Sequence, residues 1–136
     1  MPLLTSKQIE TDMYLHLRSA FKNKISGAVY RGSDSRPTNS ILEDVVVKYL
    51  TGTDGVIQRG TVLLNIYVPK ILDNSGKYVE NQKRIDELES YFYTVLSLWN
   101  FKDYYFWTDT TINNYSVDDI NQSCIVARIE YRRVSL

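Results

Sequence analysis

Glu43-Asp44-Val45-Val46-Val47-Lys48-Tyr49-Leu50-Thr51, then Gly52-Thr53-Asp54-Gly55, then Val56-Ile57-Gln58-Arg59-Gly60-Thr61-Val62-Leu63-Leu64-Asn65-Ile66-Tyr67-Val68-Pro69 is the stretch on which the fold turns. β-Branched and aromatic residues dominate both outer segments, and such side chains suit a pleated surface. The segment between them carries an Asp-Gly pair, a strong local signal for a hairpin turn. Val62, Leu64, Ile66 and Val68 alternate with other residues, so one face of the second strand is buried. The reading is two long antiparallel strands, 43–51 and 56–68. Gly60 reads as a bulge within the second strand. Pro69 has no N–H for a ladder and marks its end.

Working outward, Thr5-Ser6-Lys7-Gln8 has the form of a capping box. It predicts a helix over about 6–22, with Ile9, Met13, Leu17 and Ala20 along one stripe. Ser26-Gly27 stops it, and Ala28-Val29-Tyr30-Arg31 reads as a short strand. Residues 32–40 are a loop by every local signal, and Asp73-Asn74-Ser75-Gly76 is a turn. A second helix is predicted over 79–100, where Ile85, Leu88, Phe92, Val95, Leu96 and Trp99 fall within an arc of about 100°. Two more strands close the chain, near 101–110 and 122–134. In the last, Ile125, Ala127, Ile129 and Tyr131 alternate with Val126, Arg128, Glu130 and Arg132, which implies one dry and one wet face. The order α-β-β-β-α-β-β predicts an α+β fold, two helices on a mostly antiparallel sheet. No repeat or linker interrupts it, so residues 1–136 read as a single domain.

The chain has 136 residues, with 16 Lys+Arg against 16 Asp+Glu, one Cys and one His. This length supports a core without disulfides or metal. A balanced charge weakens any reading that needs a strongly basic protein. One Cys excludes an internal disulfide and one His excludes a multi-histidine metal centre. The start has no secretory pattern, no apolar run suits a membrane span, and the end has no lipidation signal.

Catalytic chemistry is hard to assemble from this sequence. His16 lies at the edge of the first apolar stripe and reads as a packing residue. Cys124 reads as a small strand residue. Phosphate-binding loops, dinucleotide glycine patterns and nucleophile elbows are absent from the sequence. Glu43-Asp44 and Asp118-Asp119 precede strands, where magnesium-dependent nucleases place acids. Adjacent strand residues point to opposite faces, however, so each pair gives one carboxylate to a shared pocket. Lys48 shares the parity of Asp44, which leaves a small nuclease or resolvase as an alternative. The turn 73–76 lacks the further oxygen ligands of a calcium loop.

Residues 91–107 hold nine of the seventeen aromatics. Aromatic sheets can stack bases, but such surfaces come with basic grooves, and in sequence only Lys102 is near. The expectation is core plus protein interface, with nucleic acid an unfavoured partner.

Ile25-Ser26-Gly27-Ala28-Val29-Tyr30-Arg31, then Ser35-Arg36-Pro37, the valine strand from Glu43 and the hairpin strand from Gly60 to Pro69 carry a resemblance. Together with the element order, they are similar to small proteins of long-tailed phages and prophages, the tail terminator and tail completion group. The resemblance implies a non-enzymatic virion assembly protein, without cofactor. Such a protein joins head to tail, acting in the host cytoplasm during assembly and then in the virion. It implies a homo-oligomer, typically a hexameric ring, with tail tube and connector proteins as partners. Arg31, Arg36, Arg59 and Tyr67 are the expected contact residues. An interaction domain of another kind is the remaining alternative.

Overall fold

A computed structural model describes residues 3–32, 35–97 and 103–134. The fold is α+β, two helices and a mostly antiparallel sheet. Helix α1 spans Ser6–Ala20, followed by β1 (Val29–Arg31), β2 (Asp44–Thr53) and β3 (Ile57–Pro69). Two-residue strands β4 (Ile71–Leu72) and β5 (Tyr78–Val79) form their own small ladder. Helix α2 (Gln82–Ser97), β6 (Tyr104–Trp107), β7 (Asn113–Val117), a 3-10 turn (Asp118–Ile120) and β8 (Gln122–Val134) complete the chain.

The main sheet runs β1-β2-β3-β8-β6, with β7 also on β8. β3 and β8 form its spine, in unbroken register from Ile57↔Val134 to Pro69↔Gln122. β6 and β7 take successive stretches of the free edge of β8. β1 lies parallel to β2, with Val29 opposite Val45. A parallel neighbour requires the chain to cross a face of the sheet. The helices hold one face, and the described part of the connection, residues 35–43, lies on the other, where Arg36 and Ser40 bond to Asp44.

Both amphipathic stripes pack where their spacing predicts. Ile9, Met13 and Leu17 of α1 and Ile85, Leu88, Phe92 and Val95 of α2 are buried. They share a core with Val45, Val47, Val62, Leu64, Ile66, Ile125, Ala127 and Ile129. The capping box is formed: Gln8 N–H donates to Thr5 Oγ1 at 3.2 Å and Thr5 N–H to Gln8 Oε1 at 2.8 Å. Phe21 of the α1 end meets Tyr91 of α2 edge-on, ring centres 5.3 Å apart. His16 is half-buried and burial lowers its pKa.

Several boundaries differ from the sequence reading. Helix α1 ends at Ala20 rather than near residue 22, and Asn23 takes a left-handed conformation just beyond. Val79 pairs with Ile71 in a strand, so α2 begins at Gln82, where Asn81 Oδ1 accepts from Arg84 N–H. The expected helix end and Trp99 lie outside the described residues. β7 was not expected from sequence, because Asn113-Asn114 disfavour strands; the unpaired edge of β8 recruits it.

The bulge falls opposite its expected place. The register slips between Tyr49 and Thr51 on β2, leaving Leu50 unpaired. Gly60 instead pairs with Gly52, beneath Tyr131. This bare floor lets Tyr49 and Tyr131 bring their hydroxyls within 3.2 Å. Burial holds the Tyr131 phenol well above its ordinary pKa. A Cβ on Gly60 would stand 2.3 Å from the Thr51 carbonyl oxygen and 2.7 Å from the Tyr131 hydroxyl. Gly60→Ala is therefore expected to lower stability by about 1–3 kcal/mol, read as the urea midpoint at constant slope. A loss below about 0.5 kcal/mol would show that these strands are not held so closely.

Candidate interaction surfaces

Glu43, Asp44 and Asp118, singled out in the sequence, sit at the margin of the sheet, and Glu10 of α1, which the sequence reading did not single out, joins them; three of these four carboxylates hold the fold together. Asp44 is fully buried on the outer face, the side without helices. Its Oδ1 accepts from Ala28 N–H at 3.0 Å; its Oδ2 accepts from Arg36 Nε at 2.8 Å and Ser40 Oγ at 2.5 Å. Arg36 also donates to Gln122 Oε1 at 2.8 Å and lies 3.9 Å above the Tyr67 ring. Its side chain is 8% exposed. The crossing loop is thus pinned to the sheet by one arginine that touches β2, β3 and β8. Gly27 makes room for this, because a Cβ there would stand 1.9 Å from Asp44 Oδ1.

Glu43 pairs with Arg84 at the start of α2 through two hydrogen bonds, 2.5 and 2.9 Å. Arg84 also reaches the Lys24 carbonyl after α1, so the pair ties both helices to the β2 entrance. Glu10 is buried on α1 and accepts from Tyr49 N–H at 2.9 Å, just where β1 has ended and β2 would lack a partner. Asp118 is exposed and takes Lys70 Nζ at 3.1 Å.

These contacts decide what the acidic pairs can do chemically. Both oxygens of Asp44 are filled by protein donors, Glu43 points to Arg84, and Lys48 is exposed elsewhere on the sheet. Glu43, Asp44, Lys48 and Asp118 do not converge on one pocket. Among the described residues no group of three His, Cys, Asp or Glu is placed to hold a metal ion. Asp73 stays within its own turn, accepting from Ser75 and Lys77 N–H; the Ser75 hydroxyl first, then these amides, holds it below the usual carboxylate range.

The four residues expected to make contacts fall in three places. Arg36 and Tyr67 lie against each other inside the fold. Arg31 is exposed on the edge strand β1, bonded to Thr11 Oγ1 and 3.7 Å from Glu10. Arg59 is exposed on the outer face of the hairpin. The edges of Val45–Val47 and of β3 are occupied by β1 and β8. At the distal hairpin β2 runs past β1 to Thr53, with Leu50 exposed on β2, Val56 in the turn and Ile57 at the start of β3. Leu50 and Val56 are 44% and 61% exposed. No helix among the described residues is long and apolar enough to cross a membrane. A scan against protein-family models finds no match, and no curated protein matches the chain.

Two outcomes test this account. Arg36→Ala leaves the buried Asp44 carboxylate without its cation and should cost about 3–5 kcal/mol in a denaturation midpoint. A cost under about 1 kcal/mol would mean that the loop does not depend on the pair. Cys124 lies buried beneath the same loop, and burial pushes its thiol up to about 11. At pH 8 that leaves roughly a hundredfold less thiolate than an ordinary cysteine. Disulfide-exchange reagents should label it slowly in the native protein and promptly in urea; equal rates would contradict its placement.

Proposed function

We propose that this chain is a non-enzymatic virion assembly protein of the tail terminator or head–tail joining kind, working through ring-forming contacts between copies. The observation that carries the reading is the distal β2–β3 hairpin. It stays within the sheet through β8, but β2 runs beyond the end of β1, so its outer edge there is not covered by β1, and apolar Leu50, Val56 and Ile57 are exposed. A hairpin of this kind suits strand addition, in which main-chain bonds give affinity and alternate side chains give selectivity.

A closed ring needs two different complementary patches on each copy. The hairpin supplies one, and a second, different surface of the same chain receives the hairpin of the neighbouring copy. Assembly in the host cytoplasm followed by residence in the virion belongs to the same reading. The resemblance over residues 25–69 supports it, and so does the internal use of the acidic residues that a nuclease would need free.

Light scattering over a range of concentrations tests the proposal. Six copies of 15.8 kDa would appear near 95 kDa. Leu50→Asp with Val56→Asp should return the protein to a monomer without altering its circular dichroism. If the chain is monomeric alone, it should still cap purified tail tubes, and the same double substitution should abolish capping. A monomer that caps no tube, or a ring that survives both substitutions, overturns the reading.

A further inference from the structure

We propose that the outer face of the sheet, beyond the pinned loop, binds single-stranded nucleic acid. This inference does not depend on the assembly reading. It starts from the register. Thr53, Arg59, Arg132 and Tyr105 form one row across β2, β3, β8 and β6. Thr51, Thr61, Glu130 and Trp107 form the next, and Lys48, Leu63 and Arg128 the one after. All these residues share the face opposite the helices, because their neighbours Tyr104, Phe106, Ile129 and Tyr131 are buried in the core.

Lys48, Arg59, Arg128 and Arg132 are all exposed here, and among the described residues none of them forms an ion pair. Glu130 is the one carboxylate in these rows, and it accepts from Thr61 Oγ1 at 2.6 Å. Arg59 and Arg132 stand directly opposite each other on adjacent antiparallel strands. Like charges so placed repel and cost stability. Strands lie about 4.8 Å apart, so one phosphate could accept from both guanidinium groups and reverse that cost.

Aromatic surface lies beside the cations. Tyr105 is 59% exposed, with its ring 5.5 Å from that of Trp107 and 5.3 Å from the Arg132 guanidinium. A shallow depression of about 480 Å³ runs between the hairpin and these rings, lined by Arg59, Trp107, Glu130 and Arg132. A positively charged sheet flanked by open rings is how sequence-tolerant single-strand binders hold phosphates and stack bases. Duplex DNA has no free base faces for Tyr105 and Trp107, and a purely acidic chain such as polyglutamate has no ring to stack. The chain as a whole is neutral, with 16 positive and 16 negative residues, so the fold concentrates cations that the sequence disperses.

The test is fluorescence anisotropy of a labelled thymidine oligomer of about 15 nucleotides, titrated with the protein at several salt concentrations. Three or four phosphate contacts predict a log–log salt slope of roughly −2 to −3. Arg59→Ala with Arg132→Ala should weaken binding at least tenfold and flatten the slope by about 1.4, whereas the double lysine variant should retain most of it. Trp107→Ala should weaken binding roughly tenfold and leave the slope unchanged. Circular dichroism and a melting curve check that each variant folds. Absence of binding at low salt overturns the proposal. So does a double alanine variant that binds as well as the parent, or tighter binding of duplex DNA or polyglutamate than of the strand.

Discussion

The pairing of β3 with β8 governs the molecule. Each contributes thirteen residues, and no bulge interrupts their ladder. Side chains alternate strictly, so a slip of one residue would exchange every inward group for an outward one. In the observed register Leu64 and Ala127, Ile66 and Ile125, and Val62 and Ile129 all face the helices. The same register sends Arg59, Arg128 and Arg132 outward. Core and open face are thus two results of a single constraint, and the remaining strands take their places on the edges this pair leaves.

Polar side chains then close what the ladder leaves open. Glu10 meets the first free N–H of β2 beyond β1, Glu43 binds the α2 cation, and Asp44 holds the crossing loop through Arg36. A buried pair is weak evidence for net stability, because desolvation offsets its attraction. Its value here is geometric. Arg36 has fixed partners on β2 and β8 and stacks on Tyr67 of β3, so the loop has one seat. Among the described residues Ser123 Oγ and Asn65 Oδ1, on the spine strands, are buried without a hydrogen-bond partner.

Features that depend on local periodicity were legible in the sequence. The Thr5–Gln8 box, the stripes of both helices, the Asp54-Gly55 turn and the alternation in β8 all state their geometry within a few residues. The α+β class follows from their order. Features that depend on distant partners were not legible. β7 exists because β8 has a free edge, since Asn113-Asn114 argue against a strand locally. The parallel placement of β1 has no sequence signature. Gly60 signalled a special position, but the bulge lies across the ladder at Leu50, and the glycine serves Tyr131. Arg36 and Tyr67 stood out as contact residues without any sign that they face each other. The basic surroundings of Tyr105 and Trp107 were missed for the same reason: Lys48, Arg59, Arg128 and Arg132 are far apart in sequence, and only strand pairing assembles them.

The place of β8 in the chain also has a consequence for synthesis. Among the described residues every other element precedes it, yet it is the strand on which β3, β6 and β7 all pair. Until it emerges from the ribosome, β3 keeps an unpaired edge, and Val62, Leu64 and Ile66 lack their neighbours Ile129, Ala127 and Ile125. Nascent chains of this protein therefore pass through an obligatory period of exposed apolar strand edge, the condition in which a chaperone or a neighbouring chain can capture them. The spine of this sheet therefore waits on the synthesis of every strand and helix from α1 to β7.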